Sequence, residues 1–119
     1  AFLTKDGQPV MSFGVMGANM QPQGHVQTLV RMLDHGQNPQ AACDAPRWRF
    51  NAGLELNVEA AMNAATVQGL RDRGHRLEVI NDSYQDFGAG QFIWRAGDPA
   101  VEGYVAASDP RRDGLAAGY

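Results

Sequence analysis

The alternation of apolar and polar positions predicts a β-hairpin near each end of the chain. At the start, the strand-like segments Phe2-Leu3-Thr4 and Val10–Val15 flank Asp6-Gly7, a dipeptide that strongly favours a tight hairpin turn. Near the end, two more alternating segments surround a Gly-Asp-Pro turn; they are Gln91–Ala96 and Val101–Ala107. We therefore expect antiparallel strand pairing at both ends of the chain.

Helical spacing of apolar residues predicts two longer helices between the hairpins. The first has apolar residues at i, i+3, i+4 and i+7, which are Val26, Leu29, Val30 and Leu33, and it should end near Gly36. We expect this helix to pack that apolar face inward. The second is the alanine-rich segment Ala60–Arg73, which ends at Gly74.

The segments that remain are short. Asn38-Pro39 is typical of a helix start, and we expect a short helix through Cys43. A half-buried strand is predicted over 54–59, with Glu55 and Glu59 facing solvent. Extended structure is expected at Arg47–Phe50 and His75–Ile80, and loops at Met16–Gly24 and Ser83–Gly90. The chain is thus predicted to form one α+β unit with mostly antiparallel pairing.

Composition restricts the possible partners. The 119 residues carry a formal net charge of −3, and 19% are charged, against about 25% in a typical soluble domain. We expect this shortfall to reflect a face that is normally covered. The chain has no Lys/Arg-rich stretch and no apolar run of ~20 residues, which argues against nucleic acid and membrane as partners. It enters a strand-like pattern directly at Ala1, so we expect it to be cut from a longer protein.

No residue pattern in the chain forms a complete catalytic site. The histidines His25, His35 and His75 are dispersed, and none stands at ligand spacing from a cysteine, so no metal site and no cofactor are predicted. The lone Cys43 is expected to be a buried thiol. The Gly-containing loop after Val10–Val15 differs, because its backbone N–H groups can stabilise a developing oxyanion.

Several motifs occur in the order typical of one enzyme family. They are Gly14-Val-Met-Gly-Ala-Asn-Met-Gln-Pro-Gln-Gly-His25, Asp34-His-Gly-Gln-Asn-Pro39, Asp44-Ala-Pro-Arg-Trp48, Arg73-Gly-His75, Phe87-Gly-Ala-Gly-Gln91, Ala107-Ser-Asp-Pro-Arg111, Asp113-Gly114 and Ala117-Gly-Tyr119. Through them the chain resembles the γ-glutamyltransferase family along nearly its whole length. The resemblance implies the C-terminal portion of an N-terminal-nucleophile hydrolase, whose fold is a four-layer αββα sandwich. Residues 1–119 would be a single C-terminal segment of the small subunit, without the upstream catalytic part.

The resemblance also implies where a site would lie. In the family two adjacent glycines, after the strand matching Val10–Val15, form the oxyanion hole with their backbone amides. Gly17 matches the first and Ala18 the second, and alanine resists the positive φ that glycine allows. Asn19 and Gln21, with Gln23, are candidates for lining the substrate pocket. The turn over 109–113 is expected to be a structural, salt-bridged corner.

The function implied is transfer or hydrolysis of γ-glutamyl groups of glutathione-like amides, through an upstream threonine that this chain lacks. Two alternatives stay open: an acylase of β-lactam side chains or other amides, and a non-enzymatic binding or assembly domain. The expected partners are the upstream portion of the same precursor and a γ-glutamyl small molecule. The isolated chain is expected to be inactive and to self-associate. The compartment stays open between bacterial cytoplasm and periplasm.

Overall fold

The computed structural model describes residues 1–118, apart from the side chain of Gln85. Over that range the strands are β1 Phe2–Lys5, β2 Gln8–Met16, β3 Trp48–Ala52, β4 Glu55–Glu59, β5 Arg76–Ile80, β6 Ala89–Arg95 and β7 Tyr104–Ser108. The α-helices are α1 Gln21–Leu33, α2 Pro39–Asp44, α3 Ala64–Asp72 and α4 Ser83–Asp86, and a 3-10 helix covers Ala18–Met20. The strands form two separate sheets.

The larger sheet confirms both predicted hairpins. Its strand order is β1-β2-β6-β7, and every neighbouring pair is antiparallel. The first turn has positive φ at both Asp6 (51°) and Gly7 (75°), which is the backbone that a right-twisted two-residue hairpin needs. The smaller sheet, β3-β4-β5, is mixed, because α3 connects the parallel pair β4 and β5.

The main core lies between the larger sheet and helices α1 and α2. Alternate residues of β2 and β6 face these helices, and Phe13 meets Phe92 across the strands edge-on at 6.3 Å between ring centroids. Cys43 of α2 is fully buried in this core, as predicted. The buried cluster consists of Met11, Phe13, Val15, Met32, Ala42, Cys43, Phe92 and Ala107.

The prediction that α1 packs its apolar stripe inward is wrong for three of its four residues, since of these only Leu29 packs against the core. Val26, Val30 and Leu33 remain 56%, 40% and 54% exposed, and we call these three residues the outer stripe. The buried residues of α1 are instead Gly24, Gln27, Thr28 and Met32. Gly24 explains the rotation, because a Cβ there would overlap the side chain of Val15. Without that Cβ the helix can lie closely against β2.

Capping residues account for the errors in predicted boundaries. Helix α1 begins at Gln21, with proline in its first turn, so the second half of the predicted 16–24 loop is helical. Helix α3 begins four residues later than expected, because the Asn63 side chain caps it. The predicted 83–90 loop contains α4, which Asp82 caps in the same way.

Glutamine side chains pair with the backbone at the edges of both sheets. Gln27 donates to the carbonyl of Trp48 (2.8 Å) and accepts from its N–H (3.0 Å). Gln23, one helical turn earlier, accepts from the N–H of Phe50 at 2.6 Å. Gln40 of α2 makes the equivalent pair of bonds to Ser108 of β7. These amides satisfy strand edges that would otherwise be open.

The outer face of the larger sheet carries exposed apolar side chains. This face points away from α1 and α2, and Phe2, Ile93 and Tyr104 are among its exposed residues. Together with the outer stripe, it gives the chain two apolar surfaces, in agreement with the low charge content. Separately, none of the helices in residues 1–118 is long and apolar enough to cross a membrane.

Candidate functional site

The loop over residues 16–20 leaves β2 through two consecutive residues with positive φ. Gly17 has φ 129°, and its missing Cβ would lie 3.2 Å from both Gly88 Cα and Met20 Cβ. Ala18 has φ 49°, so alanine here does adopt the left-handed conformation that the sequence made doubtful. Within residues 1–118 neither backbone N–H donates a hydrogen bond to the protein. Two adjacent donors are therefore available to a ligand at the end of β2.

Gly88 supports this loop from behind. It has φ 67°, and a Cβ at this position would overlap the carbonyl oxygen of Met16. Only glycine allows the two backbones to approach this closely. Gly88 was not predicted as a site residue, although it lies in the Phe87-Gly-Ala-Gly-Gln91 motif.

A cavity of about 480 Å³ lies next to the loop and reaches it at Met16, whereas Gly17 and Ala18 are not on its lining. Its lining consists of Ala1, Gly14, Val15, Met16, Gln21, His25, Ala89, Gln91 and Arg112. Gln21, one candidate pocket residue, is therefore on the lining. Asn19 is exposed on the 3-10 helix and is not part of it. Gln23, the third candidate, is not on this lining, and its amide is bonded to Phe50 of β3.

His25 joins α1 to the end of β2. Its Nε2 accepts a hydrogen bond from the N–H of Val15 at 3.0 Å, and its ring packs edge-on against Phe13. Because Nε2 is the acceptor, the imidazole is neutral with its proton on Nδ1. Burial, followed by the positive α-amino group, lowers the pKa of His25.

Behind the loop lies a group of buried ions, Arg47, Glu59, Asp109 and Arg111, which we call the charged corner. Arg47 and Asp109 are almost fully buried, with Nη2 and Oδ2 2.7 Å apart. The same Oδ2 accepts from the N–H of Gly90 at 2.7 Å. Arg47 also donates to the carbonyl of Phe87 at 3.0 Å, and thus holds the chain just before Gly88.

Arg111 and Glu59 complete the charged corner. They form a bidentate pair, with Nε to Oε1 and Nη2 to Oε2 both at 2.6 Å. Glu59 is only 3% exposed and also accepts from the N–H of Arg47, so its predicted exposure on the strand is wrong. The predicted salt-bridged turn over 109–113 is confirmed, since Arg111 bonds to Asp109 as well, at 3.0 Å.

Pairing keeps the corner ionised in spite of its burial. Burial alone raises the pKa of Glu59, but hydrogen bonds from Arg111, Ser83 and the Arg47 backbone outweigh it and lower that pKa. Asp109 follows the same pattern: burial opposes, while the charge of Arg47 and the Gly90 N–H lower its pKa. For Arg111, burial is outweighed by Glu59 and Asp109, so its pKa is raised.

Burial, then the charge of Asp109, raises the pKa of Cys43 to about 12. The thiol is therefore not an available nucleophile.

Neither the corner nor the loop contains an arrangement typical of metal sites. In the part of the chain that the structure describes, no group of three His, Cys, Asp or Glu side chains could hold a metal ion. The described residues thus offer a pair of backbone donors beside a cavity, supported by the charged corner.

Comparison with known proteins assigns the chain to a family. The family model for gamma-glutamyltranspeptidase matches residues 1–119. The chain belongs to the γ-glutamyltranspeptidase family. It is 36% identical to a glutathione hydrolase-like proenzyme of Bacillus subtilis, over 99% of this chain and 23% of that protein. It is 34% identical to an oxamate amidohydrolase proenzyme of Klebsiella pneumoniae, over 96% of this chain and 22% of that protein. The chain thus spans less than a quarter of the length of these relatives.

Solved structures of the family share the fold. The cephalosporin acylase from Bacillus halodurans is 46% identical, with a TM-score of 0.91, over 99% of this chain and 22% of the acylase. A γ-glutamyltranspeptidase from Pseudomonas nitroreducens is 21% identical, with a TM-score of 0.82, over 100% of this chain and 60% of that chain, which shows the fold alone. The predicted α+β portion of an N-terminal-nucleophile hydrolase is therefore confirmed.

Proposed function

We propose that this chain is the C-terminal segment of the small subunit of an enzyme that transfers or hydrolyses γ-glutamyl groups of glutathione-like amides. The observation that carries the proposal is the pair of free N–H groups at Gly17 and Ala18, in a chain of this family. Oriented backbone donors at the end of a strand suit the oxyanion that forms when an amide carbonyl is attacked.

In this proposal the reaction begins with a threonine supplied by the upstream part of the precursor. Its hydroxyl adds to the γ-carbonyl carbon, and its own α-amine takes the hydroxyl proton. The carbonyl π electrons move to oxygen, and the N–H groups of Gly17 and Ala18 stabilise that oxyanion. When the tetrahedral intermediate collapses, the C–N bond breaks and the amine leaves with the proton. Water or an acceptor amine then releases the γ-glutamyl group from the enzyme.

The remaining candidate residues have supporting roles in this scheme. Gln21 lies on the cavity beside the loop, where its amide can bond a polar group of the substrate. Asn19 is exposed on the 3-10 helix and is off the cavity lining, so in this scheme it would contact a partner segment or a part of the substrate outside the cavity. No residue of the charged corner lines the cavity. The corner acts indirectly: Arg47 holds the Phe87 carbonyl, and the next residue, Gly88, lies directly against Met16.

The upstream part of the precursor is the proposed partner of the two exposed apolar surfaces. The relatives are more than four times as long as this chain, so ample chain exists to cover them. The outer face of the larger sheet suits a second sheet packed against it, as in an αββα sandwich.

Amide acylase activity is the second candidate, favoured by the 46% identity to a cephalosporin acylase. Both candidates use the same oxyanion stabilisation. They differ in the pocket that recognises the acyl group, which lies mostly outside this chain.

The test is turnover by the complete precursor of paired substrates with one leaving group, a γ-glutamyl anilide and a neutral acyl anilide. Preference for the γ-glutamyl substrate supports the first candidate, and preference for the acyl substrate supports the second. Turnover of neither would contradict both and favour a binding or assembly domain. The chain alone should be inactive, and activity should appear when the upstream part is added.

Variants of the 16–20 loop connect this activity to the backbone donors. Ala18→Pro removes one N–H and excludes the observed φ, and we expect it to lower kcat by about a hundredfold or more. Ala18→Gly keeps the N–H and relieves the φ, and should retain activity. Equal activity in both variants would contradict the oxyanion role.

A further inference from the structure

We propose that His25 is a positioning residue for the 16–20 loop, which it holds through the N–H of Val15 while its imidazole is neutral and releases in acid. The inference rests on the proposed function only in its effect on turnover; the contact itself can be tested without any substrate.

The position of Val15 on its strand is the first reason. The odd-numbered N–H groups of β2 point toward β1, and Phe13 exchanges hydrogen bonds with Ala1 there. Val15 is the next N–H on that edge, beyond the end of the β1 pairing, and His25 Nε2 takes the place of a strand carbonyl. Two residues later the chain reaches Gly17. The imidazole therefore fixes the last position of β2 on the edge that faces β1, while Met16 pairs with Ala89 of β6 on the other edge.

The second reason is that this acceptor can be switched off. A neutral imidazole accepts a hydrogen bond at Nε2. The protonated ring is a donor at both nitrogens, so its Nε2–H would point at the Val15 N–H and the two donors would repel each other. Acid would thus leave a partly buried N–H without a partner, which destabilises its surroundings. Among the backbone acceptors that hold the other strand positions, none titrates in this range.

The third reason is the charge around the imidazole. The imidazole contacts Phe13 and Val15 of β2. The cavity that it lines is also lined by Ala89 and Gln91 from β6, by Ala1 with its α-amino group, and by Arg112 from the segment after β7. The two charged groups among them are both positive. Burial, then the α-amino charge, lowers the pKa of His25, so the hydrogen-bonded form persists to the acid side of its ordinary value. A peptide bond before Ala1 would remove the second cause and leave the first.

The test compares His25→Gln with His25→Leu in the complete precursor. Glutamine places Oε1 as many bonds from Cα as histidine places Nε2, so it can accept from Val15 without titrating. Leucine removes the acceptor at similar size. The matched control is His35→Gln, the same change at an exposed histidine beyond the end of α1.

We expect His25→Leu to lower kcat about tenfold at about pH 8 while KM changes little, since the loss is in transition-state stabilisation. In acid the difference from the wild type should shrink, because the wild type then loses the same contact. In the wild type an acid transition in kcat should appear below the ordinary histidine pKa, because burial and then the α-amino charge lower the pKa of His25. His25→Gln should keep the activity at about pH 8 and lose that transition. His35→Gln should behave as wild type.

Amide hydrogen exchange of the 14–18 segment gives a second readout, independent of turnover. Protection should fall in acid for the wild type, stay constant for His25→Gln and be low throughout for His25→Leu. Retention of the wild-type acid transition by His25→Gln, or full protection in His25→Leu, would overturn the inference. If the wild type turns over no amide while exchange behaves as expected, the proposed function fails and the role of His25 stands.

Discussion

The charged corner and the outer stripe of α1 depart from the usual distribution of polarity in opposite directions. In the corner, four ionised side chains are buried, and each is bonded to another charge, to backbone groups, or to both. In the outer stripe, three aliphatic side chains face solvent. The difference teaches that the corner is complete within this chain, because its groups satisfy one another, whereas the described residues leave the stripe exposed.

The largest effect should come from breaking the corner. Asp109→Ala leaves Arg47 buried without its carboxylate and the Gly90 N–H without an acceptor, and should lower the free energy of unfolding by about 3–5 kcal/mol. Urea unfolding checks this. The matched control is Glu55→Ala, which breaks the exposed pair with Arg76 and should cost less than about 1 kcal/mol. Similar losses in both variants would remove the distinction between buried and exposed pairs.

A glycine substitution sharpens the contact between the corner and the loop. Gly88→Ala should cost about 3 kcal/mol or more, because its Cβ would overlap the Met16 carbonyl in addition to the strain of a positive φ. Gly103 has nearly the same φ, 71° against 67°, but open space around it, so Gly103→Ala should cost only about 1–2 kcal/mol. The difference between their urea midpoints measures the close approach alone.

Acid should reduce the contribution of the charged corner to stability and should not act on the outer stripe, whose aliphatic side chains do not titrate. The pKa values of Glu59 and Asp109 are lowered on folding, so their contribution is complete above their ordinary values of 4.5 and 3.8. It is lost as pH falls below those values toward the folded pKa values, because the unfolded chain then binds more protons. The free energy of unfolding should therefore decline below about pH 4.5. Asp109→Asn should make the free energy of unfolding decline less steeply with falling pH. An unchanged slope in this variant would contradict the role given to Asp109.

Gln27 of α1, which bonds to the edge of β3, should give an intermediate effect. Gln27 is buried and bonds both backbone groups of Trp48, so Gln27→Leu should cost about 1–3 kcal/mol through two unpaired backbone groups. Gln68→Leu makes the same change on the exposed side of α3 and should shift stability by less than about 0.5 kcal/mol. Thermal unfolding of both variants gives the comparison.

The smallest change in stability should come from the outer stripe. Val30→Lys should alter the free energy of unfolding by less than about 0.5 kcal/mol, yet reduce self-association of the isolated chain by adding a charge to an apolar surface. Light scattering across a concentration series measures the association. Val101→Lys, the same change at an exposed valine in the distant β6–β7 connection, should leave it unchanged. A wild-type chain that stays monomeric throughout would contradict the interpretation of the stripe.

The parts of the fold that depend on local interactions could be predicted from the sequence. Asp6-Gly7 determines its own turn, and Asn38-Pro39 its own helix start, because the groups involved are within a few residues of each other. The motifs were likewise sufficient for the family. Asn63 carried a capping signal of the same local kind, although the predicted start of α3 missed it.

The candidate site was only partly predictable. Gly17 and Ala18 were selected through the family motif, and their positive φ is consistent with that choice. Gly88 and His25 were not selected, because their importance depends on contacts with Met16 and Val15 across the sheet and from helix to strand. Asp109 and Arg47, 62 residues apart in sequence, show the same limitation.

The sequence by itself determined the turns, most strands and the family, since each follows from residues that are close in the chain or from motifs in order. The tertiary structure alone decided which side of each element faces inward. Gly24 turned α1 so that its apolar stripe faces out, and Arg111 drew Glu59 into the interior. The physical reason is that burial is a property of the partner surface as well as of the residue, and the partner is distant in the chain or belongs to another segment.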